Sequence, residues 1–168
     1  MKKSIQGICF QGNKIMERID VVFISSSGGH FEQLMMLKRL MKYFSSVVLT
    51  EKTAYIESAG SSIMFLPQTN RFELTFPFKL FANFIMSCFY LLKLRPRCVV
   101  STGALSCIPF CLLSKLFGIK LIFIESFAKT SSPTLTGRLM YRIADRFYVQ
   151  WESMLSIYPD ARFVGCIY

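Results

Sequence analysis

Short apolar runs alternate with stretches of helical period along most of this chain. The first run, Val21-Val22-Phe23-Ile24, is uninterrupted and largely β-branched, which marks a strand buried on both faces. Small and polar residues follow it, from Ser25 to His30. A helical pattern then runs over 31–44, with Leu34, Leu37, Met41 and Phe44 at helical spacing. Ser26 or Ser27 stands where an N-cap would. Strands are predicted at 47–50 and 63–66, with a short helix over 53–59 between them and Pro67 as a stop. After a polar turn at 68–74, residues 76–94 (FPFKLFANFIMSCFYLLKL) read as one long helix. The second half repeats the alternation, with strands at 98–101, 121–124, 147–149 and 163–164. Helices are predicted over 105–117, 135–144 and 152–157, and Pro109 is tolerable because it lies in the first turns. Such alternation predicts an α/β fold, a Rossmann-like doubly wound parallel sheet forming one domain over 19–168. Residues 1–18 read as an N-terminal extension. Met16 stands just before the first strand as an alternative start, and the opening residues show no apolar signal core.

In doubly wound sheets, ligands bind at the carboxyl ends of the strands. The polar exceptions in the apolar pattern fall there: Ser27-Gly28-Gly29-His30 after the first strand, Thr102-Gly103 after the fourth, and Glu125-Ser126 after the fifth. Taken alone, the Gly-Gly turn matches neither GxGxxG nor a P-loop, and a tight turn explains it equally well. Three such loops on one rim point to a site. A Rossmann-type redox or nucleotide protein is disfavoured, because neither its fingerprint nor a ribose-binding acid is evident in the sequence.

Charge sharpens the picture. There are 20 Lys and Arg against 10 Asp and Glu, and between 74 and 150 the only acids are Glu125 and Asp145. An anionic partner follows from that excess. The same half is rich in phenylalanine runs, which fits anionic lipid and not nucleic acid. Over 76–94, Phe81, Phe84 and Phe89 with their apolar neighbours surround the helix and do not form one stripe. Lys79, Lys93, Arg95 and Arg97 flank it. A helix in the membrane interface with snorkelling cations has this pattern, and a buried crossover helix is the alternative. The membrane-associating segment is therefore placed at 76–97. The six cysteines contain no CxxC pair and there is one histidine, so no metal site is expected.

With the loops placed, the sequence resembles PssD-like bacterial polysaccharide-biosynthesis proteins. These are similar to the membrane-anchoring subunit of the two-chain N-acetylglucosamine transferase of the dolichol pathway. The matching stretches are FISSSGGHFEQLMML (23–37), RPRCVVSTGALSCIP (95–109), IKLIFIESFA (119–128) and the tail from 146 to 168. The resemblance implies the N-terminal half of a GT-B glycosyltransferase. That half would bind a lipid-pyrophosphate-linked sugar acceptor at the cytoplasmic face of the cell membrane, in exopolysaccharide or capsule biosynthesis. A separate C-terminal-half subunit would bind the nucleotide-sugar donor as substrate, with no further cofactor.

Carried over by position, Ser27, Gly28, Gly29, Thr102, Gly103 and Glu125 would bind the acceptor. Glu125 could equally brace a loop. His30 would be the base that deprotonates an acceptor hydroxyl, since imidazole exchanges protons near neutral pH. Support of the loop by hydrogen bonding is its other role. The chain departs from the related lipid II enzyme in having shorter glycine runs at both turns. Trp151, Phe163, Ile167 and Tyr168 are the expected partner interface, with an ordinary edge strand as the alternative. A non-catalytic scaffold that recruits and activates the partner is the rival to the catalytic reading.

Overall fold

A computed structural model describes residues 19–53, 63–70 and 73–168. Seven strands form one parallel sheet in the order β3-β2-β1-β4-β5-β6-β7. They are β1 (Val21–Ser25), β2 (Ser46–Glu51), β3 (Ile63–Leu66), β4 (Cys98–Gly103), β5 (Lys120–Ile124), β6 (Arg146–Val149) and β7 (Arg162–Phe163). The helices are α1 (Gly29–Met35), α2 (Lys38–Met41), α3 (Phe76–Leu94), α4 (Ile108–Leu116) and α5 (Leu135–Ile143). Single 3-10 turns stand at Leu105–Cys107 and Glu152–Ser156. The chain winds outward from β1 to β3, crosses back through α3, and continues outward from β4. The order therefore reverses between β1 and β4, where such sheets form their ligand crevice.

The buried run of β1 serves two layers at once. Val22 and Ile24 enter a core with Leu91 and Leu94 of α3, Phe110, Cys111 and Leu113 of α4, and Met140 of α5. Val21 and Phe23 point to the other face, where Phe31 and Leu34 of α1 cover them. Alternation of side chains along a central strand produces this division.

Three local expectations need correction. The helix expected over 31–44 starts earlier, at Gly29, and breaks after Met35 into α1 and α2. Leu34 is the last fully buried residue of that stretch; Leu40, Tyr43 and Phe44 are exposed, so the apolar period continues on the surface. Neither Ser26 nor Ser27 caps α1, whose N-cap is Gly28 with no side-chain bond. The helix over 152–157 is a 3-10 turn. The helix expected over 53–59 lies, apart from its first residue, outside the described residues, as does the 1–18 extension.

Helix α3 has the expected bounds, but its polarity is turned inside out. Asn83 and Ser87 are fully buried toward the protein, whereas Phe78, Phe81, Phe84, Ile85, Phe89 and Leu92 are exposed. Phe81 keeps 66% of its surface open. The inner face is pinned twice at the carboxyl end of β3: Asn83 Nδ2 donates to Pro67 O (3.1 Å) and the Tyr90 hydroxyl to Phe65 O (3.2 Å). By length and composition, α3 is the one helix among the described residues that could cross a membrane. Lys79 pairs with Glu73, Lys93 lies over the Phe89 ring (5.7 Å), and Arg97 reaches Asp20 at 3.9 Å. The Arg95 Nε donates to Leu92 O at the left-handed C-cap of the helix.

Candidate functional site

The crevice is built from the ends of β1 and β4. Their pairing runs Phe23↔Val100 and Ile24↔Ser101, then jumps to Ser25↔Gly103. Thr102 is the extra residue of this bulge, and bulges re-aim the residue they insert. Thr102 meets His30 twice. Its carbonyl lies 2.7 Å from His30 Nδ1, and its hydroxyl donates to His30 O at 2.9 Å. A carbonyl only accepts, so this bond assigns the Nδ1–H tautomer, whose lone pair is on Nε2. Behind this pair, Gly103 has φ 94°, and a Cβ there would stand 3.3 Å from both Nδ1 and Cε1 of His30. Gly103 O also accepts from Ser26 N (2.8 Å), closing the two turns on each other.

Gly28, at φ 74°, turns β1 into α1. A Cβ at Gly28 or Gly29 would meet open space, so backbone is presented bare at this point. The N–H groups of Phe31 and Glu32 both bond Gly28 O, so those of Gly29 and His30 precede the first helical hydrogen bond. The crevice thus joins an oriented imidazole nitrogen to uncovered peptide N–H groups. That combination can take a proton from a hydroxyl and receive an anion.

Other expected contacts turn inward. Ser27 N and Oγ both donate to Glu51 Oε2 (3.1 and 2.9 Å). Glu125 is 1% exposed. Its Oε1 accepts from Ser126 N and Thr134 Oγ1 (both 2.9 Å), and its Oε2 from the Tyr158 hydroxyl (2.9 Å) and Thr134 N (3.4 Å). Of the two roles open to Glu125, this arrangement is the bracing one. Tyr158 is held well above the ordinary tyrosine pKa by burial and by the adjacent Glu125 carboxylate. Burial likewise pushes the Cys111 thiol up to about 12 and raises Cys107 strongly, so neither is a ready nucleophile.

Two side chains the sequence reading missed organise the rim. Glu51, at the end of β2, is an acid in the position where dinucleotide folds hold a ribose, which corrects the expectation that none was present. It is 5% exposed and bonded on both oxygens by the protein, so it does not face a ribose. Gln33 of α1 donates to Glu125 O (3.0 Å) and accepts from Phe127 N (3.0 Å), tying the first and fifth loops together.

The tail folds back on the domain. Trp151 Nε1 donates to Phe127 O (2.7 Å), the Phe127 ring lies 5.0 Å from Trp151 and 4.6 Å from Tyr168, and Ile167 packs on the α1-side core. Phe163 and Tyr168 remain exposed. The shallow cavity of about 310 Å³ lined by Arg142, Arg146 and Arg162 sits at the amino ends of β6 and β7, away from the crevice.

Comparison with known proteins agrees with this architecture. The chain is 27% identical to the "UDP-N-acetylglucosamine transferase subunit ALG14" of Candida albicans, covering 92% of this chain and 80% of that one. It is 35% identical to the Kluyveromyces lactis protein of the same name over 44% of this chain and 34% of that one. Among solved structures, Acinetobacter baumannii MurG superimposes with a TM-score of 0.64 at 19% identity. That match covers 80% of this chain and 42% of MurG, so this chain corresponds to less than half of that protein. The fold is the Rossmann-like domain of the N-terminal type in GT-B proteins. The family described as "Oligosaccharide biosynthesis protein Alg14 like" matches residues 20–167, nearly the whole chain, and the chain belongs to that family.

Proposed function

We propose that this chain is the membrane-docked, acceptor-binding half of a two-chain glycosyltransferase. A separate polypeptide binds a nucleotide-sugar, with UDP-N-acetylglucosamine favoured by the names of the relatives. The sugar passes to a hydroxyl of an acceptor carried on a lipid pyrophosphate. The observation that carries this reading is the reciprocal His30–Thr102 pair, which leaves Nε2 bare beside open glycine backbone. His30 Nε2 takes the hydroxyl proton as the acceptor oxygen bonds the anomeric carbon and the nucleotide diphosphate departs from it. The Thr102 carbonyl stabilises the imidazolium that forms. Gly28 and Gly29 admit the pyrophosphate, and Thr102 and Gly103 form the second wall. Ser27 and Glu125 act by shaping their loops. No metal or further cofactor belongs to this reaction.

The outward phenylalanines of α3, with Lys93, Arg95 and Arg97 at its end, support docking on an anionic bilayer at the cytoplasmic face. Phe163 and Tyr168 are the exposed candidates for the partner contact, set in place by Trp151 and Ile167. The resemblance to PssD-like proteins favours exopolysaccharide or capsule assembly as the setting. A second reading, a non-catalytic anchor for the partner, is favoured by the internal commitment of Ser27 and Glu125.

The test is transfer of radiolabel from UDP-N-acetylglucosamine to extractable lipid, by this chain co-purified with its catalytic partner. His30→Ala lowers kcat by about 10²–10⁴-fold if His30 is the base. His30→Asn, which restores a donor toward Thr102 O without a base, stays equally low. Recovery of kcat by His30→Asn assigns His30 to loop support, and normal kcat in both variants establishes the anchor reading.

A further inference from the structure

Glu51 is a buried carboxylate near the crevice, bonded on both oxygens, that the proposed chemistry does not use. Its four contacts divide between two segments far apart in sequence. Oε2 accepts from Ser27 N and Oγ in the glycine turn (3.1 and 2.9 Å). Oε1 accepts from Thr69 N and Oγ1 (3.0 and 3.4 Å) in the stretch leading to α3. That stretch is fixed to α3 itself, because Asn83 Nδ2 donates to Pro67 O two residues before Thr69. Hydrogen bonds, joined by the backbone between Pro67 and Thr69 and between Ser27 and His30, therefore link the inner face of α3, the lead-in, Glu51 and the turn that ends at His30. Residue 51 is 5% exposed, so water does not compete for these contacts.

We propose that Glu51 is a positioning residue that holds the glycine turn and the lead-in to α3 as one unit. Docking of α3 on an anionic lipid surface thereby sets the geometry of the turn that receives the acceptor pyrophosphate. This rests on the membrane-docking part of the proposed function and adds to it a route from the lipid-facing helix to the crevice. The shape of the carboxylate matters: two oxygens, each accepting from a backbone N–H and a hydroxyl. Glutamine keeps the size but turns an NH₂ toward one of the two donor pairs, which breaks that half of the link.

The experiment is hydrogen exchange on the full chain, with and without vesicles of phosphatidylcholine and phosphatidylglycerol, alongside co-sedimentation. In the native chain, vesicles slow exchange both in 73–81 and in 26–31. In Glu51→Gln, 73–81 still responds and 26–31 no longer does. Without vesicles, exchange at the turn is about tenfold faster in the variant. If the native turn fails to respond while 73–81 does, the coupling is overturned and membrane docking stands. Loss of co-sedimentation by the native chain overturns both. A response of the turn that persists in Glu51→Gln, or faster exchange spread through β1 and β4, makes Glu51 an ordinary structural brace. Should Glu51→Gln not fold, Glu51→Asp is read in the same way, because its carboxylate cannot reach both segments.

Discussion

Replacing Gly137 with alanine sets two effects of opposite sign against each other. Gly137 lies inside α5, where alanine is ordinarily better by about 1 kcal/mol. Here the added Cβ would stand 1.8 Å from Glu125 Oε2, 2.7 Å from its Cδ and 2.8 Å from Thr134 Oγ1. An exposed carboxylate would swing away at little cost. This one is buried and bonded on both oxygens, and Oε2 must retreat by more than an ångström, beyond what its 2.9 Å bond from Tyr158 survives. A lost hydrogen bond to a buried charged group costs about 1.5–3 kcal/mol, and overpacking about 1–3 kcal/mol. Net of the helix gain, Gly137→Ala destabilises the chain by about 2–4 kcal/mol. Urea unfolding reads this as a lower midpoint at unchanged m, and thermal unfolding as a Tm lower by roughly 5–15 °C. In a Glu125→Ala background the clash with the carboxylate disappears, only the 2.8 Å approach to Thr134 Oγ1 remains, and the added cost falls to about 1 kcal/mol. A neutral or stabilising Gly137→Ala would refute the bracing role of Glu125.

Gly103→Ala meets both a positive φ and the His30 ring at 3.3 Å, so it strains the turn and shifts the imidazole by a few tenths of an ångström against Thr102 O; transfer by the reconstituted pair falls by about tenfold in kcat, and unchanged kcat excludes an imidazole role that depends on this placement. Changing Phe81, Phe84 and Phe89 together to Ser abolishes co-sedimentation with anionic vesicles while the circular dichroism of the chain is kept; unchanged partitioning moves the lipid contact elsewhere. Tyr158, whose pKa is raised on folding, contributes stability that is complete below about pH 10, the unfolded value, and is lost as pH climbs through the folded one. Chemical unfolding between pH 9 and 12 shows that loss, and Tyr158→Phe removes its share of the slope while weakening the fold at neutral pH.

How much of this could be read from the residues depends on the range of each interaction. The bounds of α3 and the three rim loops were legible because they rest on local pattern, on Gly-Gly at β1 and Thr-Gly at β4. The bulge that turns Thr102 toward His30 was not, since it belongs to the pairing of two strands far apart in sequence. Glu51 and Gln33 were missed for the same reason: each looks like an unremarkable polar residue until a partner 18 to 94 positions away arrives. Glu125 stood out as an acid at a strand end, but its ligands are Thr134 and Tyr158, and nothing local separates a brace from a sugar contact. The break after Met35 escaped because apolar period reports a helix face, not whether the sheet still lies beneath it.

The inverted helix also bears on how the chain is made. Residues 76–94 leave the ribosome after β3 but before α4, against which the inner face of α3 packs, and before β4, the central neighbour of β1. For that interval the sheet is only three strands wide, and none of the described residues covers the phenylalanine side of α3. A nascent chain in that state is exposed to aggregation. Capture by a nearby bilayer or a holding chaperone during synthesis is accordingly a condition of yield, and expression uncoupled from membranes should divert the product to insoluble material before the crevice is ever completed.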